Sequence, residues 1–255
     1  MRYFAVVSYK GTPFCGWQKQ TVSKLPSVEV TIEKVISRIL NTEIKIYGSG
    51  RTDAGVHALG QTFHFDSSKE LNKYRFLHSL NELLPLDIRV ISLKPVADNF
   101  HARFSAKGKT YIYKIRNAQL SSPFKSDLEV TLAQELDIEK MVEASKLFEG
   151  EHNFQNFTSK DEDEAGFVRN ISKIEITKQN EHIVILMTGN GFMRYMVRMI
   201  VGTLIQVGLG KMTSEDIKKI LEDPVRKPSS HKAPAYGLYL RKFCTKILIF
   251  VLLIT

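Results

Sequence analysis

Cysteine is almost absent from this chain of 255 residues, which contains only Cys15 and Cys244. Two cysteines are too few for a disulfide framework, and neither lies in a CxxC or Cys/His spacing typical of zinc sites. His57, His64 and His101 are scattered without metal-ligand spacing, so we do not interpret them as metal ligands. These absences predict a reduced, cytoplasmic protein without a metal site.

Membrane-spanning hydrophobic runs are also missing. The apolar run from Ile247 to Ile254 is far shorter than the ~20 residues that cross a bilayer. We interpret it as a buried or dimer-packed terminal strand or as an exposed apolar tail, with membrane attachment as the less favoured alternative. The N-terminal apolar segment is short and predicts a first strand rather than a signal peptide.

Acidic residues are in deficit, because 27 Asp and Glu face 36 Lys and Arg, which gives a formal charge of +9. The hydrophobic fraction of 43% is that of an ordinary globular protein and argues against disorder. A basic globular protein favours a polyanionic partner. Nucleic acid is the first expectation and an acidic membrane surface the second.

The periodicity of apolar residues predicts strands and helices that alternate irregularly, with neighbouring strands able to pair antiparallel. This order indicates an α+β fold in which helices pack on antiparallel sheets. We expect an N-terminal half over 1–105, a C-terminal half over 106–245 and an apolar tail over 246–255. The strands are expected at 2–9, 43–47, 60–66, 88–94, 107–117, 171–178, 182–188 and 236–242, and the helices at 27–40, 70–83, 138–149, 192–207 and 214–222.

A glycine-rich segment from Gly48 to His57 is too rich in glycine for a helix or strand and predicts a tightly turning loop. Asp53 lies within it, and two interpretations are open. Aspartate often caps a turn through its own backbone. Alternatively, the loop presents a carboxylate nucleophile or base, and Arg51 lowers its pKa. No Gly-Lys-Ser/Thr follows, so the loop is not a Walker motif and predicts no nucleotide cofactor.

Two arginines interrupt the mostly apolar segment predicted as the helix 192–207. Arg194 and Arg198 have the spacing of neighbours on one helix face. A buried arginine needs a carboxylate, a phosphate or water. The alternative is that both side chains extend to the surface.

Basic and aromatic residues alternate over 103–116, a pattern that suits looped or single-stranded RNA. An amphipathic surface strand is the alternative interpretation. The basic members are Arg103, Lys107, Lys109, Lys114 and Arg116, and the aromatic ones are Phe104, Tyr111 and Tyr113.

Several motifs in order resemble the TruA family of tRNA pseudouridine synthases along almost the whole chain. The most specific is the loop Gly50 to Ala58, followed by Gly60-Gln61. Other matching segments are Phe14 with Gly16-Trp17-Gln18, Asn81 to Pro85, Phe100 to Ala106, Lys109 to Tyr113, Phe192 to Gly202 and Ala233 to Leu240. The apolar tail is the one departure from the family pattern.

The resemblance implies that Asp53 is the catalytic aspartate, that Tyr111 packs against the target base and that Arg198 pairs with the aspartate. Arg194 remains the alternative to Arg198. Family members isomerise uridines at positions 38–40 of the tRNA anticodon stem-loop, as homodimers without cofactor or metal. Their fold has two α+β halves around a basic central cleft. The further candidate RNA contacts in this chain are Arg51, His57, His101, Arg103, Lys107, Lys109 and Arg194.

Two other functions fit parts of this pattern. A non-catalytic RNA-binding protein on the same fold would tolerate the loss of Asp53. A hydrolase of glycosidic bonds usually requires a second carboxylate, and the loop offers only one. Tyr111 and Arg198 alongside Asp53 favour the synthase.

Overall fold

The computed structural model describes residues 1–20, 23–159, 166–223 and 225–245. The apolar tail, and with it every expectation for 246–255, lies outside the described residues. The strands are β1 (Arg2–Tyr9), β2 (Ile46–Gly48), β3 (His57–Asp66), β4 (Ile88–Val96), β5 (Ala106–Asn117), β6 (Val130–Leu132), β7 (Gly150–Asn153), β8 (Val168–Gln179), β9 (His182–Gly189) and β10 (Leu238–Thr245), and the helices are α1 (Val28–Leu40), α2 (Lys73–Leu83), α3 (Ile138–Ser145), α4 (Met196–Gly208) and α5 (Ser214–Glu222).

The chain divides into two compact units, one formed by Met1–Gly108 together with the described residues from Leu240 to Thr245, and one by Lys109–Tyr239. Each unit combines a mainly antiparallel sheet with helices, so the predicted α+β class is confirmed. The division differs from the expected halves because the last strand groups with the first unit. No described helix has both the length and the apolar character needed to cross a membrane.

The sheet of the first unit has the strand order β4–β1–β3–β10, and β2 also pairs with β3. Phe63 and Phe65 on β3 are fully buried, and the Phe65 ring stacks on Phe76 of α2 at 6.0 Å. The opposite face of β3 carries the polar residues Thr62 and His64, and both are buried too. The segment around Phe100 and Ala102 packs near this second face and explains the burial.

The second unit arranges its sheet in the order β5–β9–β8–β7, with β6 parallel to β5. The strands predicted at 171–178 and 182–188, separated by Gln179-Asn180-Glu181, suggest a hairpin. The antiparallel pairing of β8 with β9 confirms it, and Asn180 at its turn has φ 54°. The apolar helix α4 is buried along almost its whole length and contacts α3. The second unit therefore has its helical core centred on α4.

The sequence predicts helix caps at Ser27, at Asp137 and at Thr213 with its capping partner Asp216. The structure confirms them, because each of the three cap side chains accepts a backbone N–H in the first turn. The predicted start of α4 is wrong. Tyr195 has a left-handed φ of 63°, and the helix begins only at Met196. Arg194 therefore precedes the helix, and the expected placement of Arg194 and Arg198 on one helix face is wrong.

The burial of His64 changes its protonation. Burial, followed by the neighbouring His101 and Arg2, lowers the pKa of His64 to about 4. Its Nδ1 accepts a hydrogen bond from the backbone N–H of Ala102 at 3.2 Å. In the unfolded chain histidine titrates near pH ~6.5. Below that pH, His64 binds a proton in the unfolded state but stays neutral in the folded state. The free energy of unfolding therefore falls as the pH drops from about 6.5 towards 4.

We expect His64→Asn to remove this pH dependence, because the amide oxygen replaces Nδ1 as acceptor and does not titrate. Between pH 7.5 and 5 the wild type should lose roughly 2 kcal/mol more free energy of unfolding than the variant, at ~1.36 kcal/mol per pKa unit. Urea denaturation at both pH values measures this difference. His78→Asn, at an exposed position of α2, is the control and should behave like the wild type; equal losses in all three proteins would contradict the prediction.

Two glycines of α4 have different surroundings. A Cβ at Gly202 would lie 2.1 Å from the carbonyl oxygen of His231, which is backbone. A Cβ at Gly208 would lie 2.7 Å from the Sδ atom of Met141, which is a flexible side chain. The close approach at Gly202 lets the segment around Ala233 pack directly on α4, where the Ala233 N–H donates to the carbonyl of Arg198.

We expect Gly202→Ala to lower the free energy of unfolding by roughly 1–3 kcal/mol, because overpacking against a backbone atom forces the chain apart. Gly208→Ala should be close to neutral, because alanine gains about 1 kcal/mol of helix propensity and Met141 can rearrange. Chemical denaturation of both variants gives the comparison. A loss at Gly208 as large as that at Gly202 would show that the carbonyl contact is not the cause.

Candidate functional site

The loop that carries Asp53 connects β2 to β3 and is held by its backbone. The Asp53 carbonyl accepts from the Val56 N–H at 3.1 Å, and Gly55 has φ 76°, so the chain reverses directly after Asp53. The Gly50 carbonyl accepts from the Gln61 side chain at 3.0 Å. Asp53 itself is half-buried. The fixed turn thus presents its carboxylate from a defined position.

A second loop, residues 10–17, packs backbone to backbone on the first. A Cβ at Gly11 would lie 2.0 Å from the Val56 carbonyl oxygen, and one at Gly16 would lie 2.4 Å from that of Thr52. Gly16 also has φ 107°, which favours glycine. Both positions therefore require glycine. The resemblance marked this loop, but the residues themselves gave no sign of what it contacts.

Thr52, directly before Asp53, is fixed through two of its atoms. Its carbonyl accepts from the Trp17 N–H at 3.2 Å, and its hydroxyl shares a buried 2.8 Å hydrogen bond with the hydroxyl of Tyr9. Burial raises the pKa of Tyr9, so the phenol stays protonated. These bonds hold the backbone from which Asp53 projects.

Arg51 lies exposed on the same loop. Burial raises the pKa of Glu29 at the start of α1, and the charge of Arg51 is among the weaker effects that oppose the rise. The expectation that Arg51 lowers the pKa of Asp53 stays a prediction.

His57 is 1% exposed, and its Nδ1 accepts from the Gly11 backbone N–H at 3.1 Å. Its observed contact lies within the protein, between the two loops. This geometry assigns His57 to the support of the Asp53 loop, and its expected contact with RNA stays untested.

Of the other candidate RNA contacts in the first unit, His101 is half-buried, and Arg103 and Lys107 are exposed. The His101 Nδ1 accepts from the Arg103 backbone N–H at 3.2 Å, which orders the turn that carries both. Lys109, at the start of the second unit, is half-buried. The exposed members have the access that contact with a polyanion requires.

Tyr111 and Arg198, the other two candidate catalytic residues, lie in the second unit. Tyr111 is 7% exposed on β5, and its ring meets the Phe192 ring edge to face at 5.3 Å. Arg198 lies in the first turn of α4, and its Nε donates to the Ala233 carbonyl at 2.7 Å. Both side chains are therefore held by neighbours within their own unit.

Three cations surround the ring of Tyr195. The Arg194 and Arg198 guanidinium carbons lie 4.9 and 5.2 Å from its centroid, and the Lys232 Nζ lies at 4.3 Å. Arg194 also donates to the Tyr195 hydroxyl at 3.1 Å. The two arginines thus converge around one ring instead of along one helix face. Lys232 was missed because only tertiary packing brings it to this place.

In the described part of the chain, no group of three or more His, Cys, Asp or Glu side chains is placed so that it could hold a metal ion. The candidate catalytic side chains belong to both units. The first unit holds the Asp53 loop, and the second holds Tyr111, Arg198 and the cations around Tyr195.

Comparison with known proteins agrees with these motifs. A family model described as tRNA pseudouridine synthase matches residues 5–105 and 144–244. Among solved structures, "Structure of H/ACA RNP bound to a substrate RNA containing 2'-deoxyuridine" matches with a TM-score of 0.39 and 13% identity, over 80% of this chain and 44% of that one. That likeness is too weak to support the assignment, which rests on sequence.

Curated relatives match along nearly their full length. The tRNA pseudouridine synthase A 2 of Clostridium tetani is 42% identical over 236 residues, which are 92% of this chain and 95% of that protein. The tRNA pseudouridine synthase A of Francisella tularensis subsp. novicida is 40% identical, covering 93% and 91%. That of Staphylococcus aureus is 38% identical, covering 95% and 91%. The chain therefore belongs to the tRNA pseudouridine synthase family.

Proposed function

We propose that this protein isomerises uridine to pseudouridine in tRNA and that Asp53 initiates the reaction. The observation that carries the proposal is the loop geometry. A single carboxylate projects from a turn whose backbone is fixed on both sides, within a segment that matches the family model. Following the resemblance, the substrate positions are uridines 38–40 of the anticodon stem-loop.

The reaction moves the uracil from one attachment to another without adding or removing a group. The bond from C1′ to N1 breaks, N1 gains a proton, C1′ bonds to C5, and the proton on C5 leaves. Two routes use one carboxylate. Asp53 attacks C1′ to form a covalent intermediate, or it removes a sugar proton to give a glycal. In both routes the carboxylate must be ionised when it acts.

Tyr111 and Arg198 have roles that their fixed positions support. A tyrosine ring held edge to face by Phe192 offers a rigid surface against which an extruded base packs. A guanidinium oriented by its Nε bond to Ala233 suits a carboxylate or a phosphate. Because Arg198 is half-buried and Arg194 is exposed, we favour Arg198 as the partner of the aspartate and Arg194 as an RNA contact.

The remaining parts of the proposal concern partners. The exposed side chains of Arg51, Arg103, Lys107 and Arg194 are proposed to contact the RNA, with half-buried His101 and Lys109 beside them. Association as a homodimer without a cofactor follows from the resemblance, and a cytoplasmic location follows from the low cysteine content. Both stay predictions.

We expect Asp53→Asn to abolish turnover while leaving tRNA binding nearly intact, because the amide keeps the size of the carboxylate and loses its nucleophilicity and basicity. Loss of an enzyme's nucleophile can cost on the order of 10⁶-fold in kcat. Tritium release from tRNA labelled at uracil C5 measures turnover, and fluorescence anisotropy with the same tRNA measures binding.

Asp87→Asn is the matched control, since Asp87 is also half-buried on a loop of the first unit. It should release tritium like the wild type. Release of tritium by Asp53→Asn at the wild-type rate would show that Asp53 takes no part in the reaction. Tight tRNA binding without any release from the wild type would favour the non-catalytic RNA-binding protein.

A further inference from the structure

Four aromatic rings of the first unit form a continuous cluster, here called the ring cluster: Tyr47, His64, His101 and Phe104. Tyr47 stacks on His64 at 5.1 Å, and His64 meets His101 edge to face at 4.6 Å. His101 in turn contacts Phe104 at 4.4 Å. The catalytic proposal uses none of these contacts.

We infer that the ring cluster binds an unpaired base of the RNA by stacking, with Phe104 as the principal contact. This inference rests on the proposed function, which supplies an RNA substrate, and adds a binding site whose rings lie outside the Asp53 loop. The ligand is a nucleobase in a loop or an extruded position, since only an unpaired base offers its face.

The exposure of the cluster supports a ligand. Phe104 is 79% exposed and Tyr47 is 49% exposed, whereas His64 at the base of the cluster is 1% exposed. Rings that are fixed at one end and open at the other form a ready surface for stacking. Every nucleobase has such a face, so a surface of this kind tolerates different sequences.

The segment that carries Phe104 is ordered by its own hydrogen bonds. The His101 carbonyl accepts from the Ser105 N–H at 2.9 Å, and the Ala102 carbonyl accepts from the Ser49 hydroxyl at 2.9 Å. The Ala102 N–H donates to His64. A surface held in this way loses little conformational entropy when a base binds, which favours affinity.

The charges around the cluster suit a nucleotide. The Arg103 guanidinium lies 6.0 Å from the Phe104 ring centroid, and Lys107 is exposed nearby in sequence. Burial lowers the pKa of His101, helped by Arg2 and Arg103, which keeps the imidazole neutral at neutral pH. Neutral rings therefore face the base, and Arg103 and Lys107 supply the positive charge for the flanking phosphates.

The test compares Phe104→Ala with Phe124→Ala in binding a fluorescently labelled anticodon stem-loop RNA, measured by anisotropy over a range of salt concentrations. Phe124 is 89% exposed in the second unit, so it controls for the loss of an exposed phenylalanine. We expect about tenfold weaker binding for Phe104→Ala, within the range of base stacking, and no change for Phe124→Ala.

The salt dependence separates stacking from charge. Phe104→Ala should keep the wild-type slope of log Kd against log salt, because it removes no cation, whereas Arg103→Ala should reduce the slope by about one phosphate contact. Phe104→Trp should retain affinity. Trp17, the only natural tryptophan, is 2% exposed, so quenching of the introduced indole by RNA would report stacking directly.

Equal affinity of the Phe104→Ala and Phe124→Ala variants would overturn the inference. So would dissociation of an oligomer by Phe104→Ala in sedimentation velocity with unchanged RNA affinity, which would make the cluster an interface between copies of this chain. Failure of the proposed function is recognised separately, because it requires that the wild type release no tritium from C5-labelled tRNA. If the wild type releases tritium and Phe104→Ala binds RNA as tightly as the wild type, only the proposed stacking site is refuted and the proposed function stands.

Discussion

The approach of one backbone to another determines the geometry of the Asp53 loop. Gly11 and Gly16 bring the loop 10–17 so close to Thr52 and Val56 that no side chain fits between the two. This contact allows the hydrogen bonds from Trp17 and Tyr9 to Thr52, which in turn fix the neighbouring aspartate. The position of the carboxylate thus depends on the absence of two Cβ atoms, and a catalytic group gains precision when its backbone is supported in this way.

Much of the fold could be predicted because local signals agree with it. Neighbouring residues determine both the helix caps and the alternation along β5, and tertiary packing does not override them. The cap residues are Ser27, Asp137 and Thr213. The start of α4 could not be predicted. Tyr195 adopts a left-handed conformation that costs an ordinary residue of order 1–3 kcal/mol, and only tertiary contacts impose it.

The candidate site also has some features that neighbouring residues predict and others that only tertiary contacts determine. The glycine-rich loop marks Asp53 in the sequence, and the run of motifs marks Tyr111 and Arg198. The burial of His57 and His64 could not be predicted, because imidazole is common both inside and outside proteins and its surroundings come from distant segments. Lys232 joins Arg194 and Arg198 only through the packing of the segment around Ala233 on α4.

The convergence of three cations on Tyr195 has an energetic consequence for the free protein. The electron-rich face of the ring attracts each cation, so the free protein already holds three positive charges at one place. Arg198 is positioned by the first turn of α4, whereas Arg194 and Lys232 are exposed and lie outside the helix. An anion that binds there meets cations that the ring has gathered in advance, so little conformational entropy is lost in bringing them together.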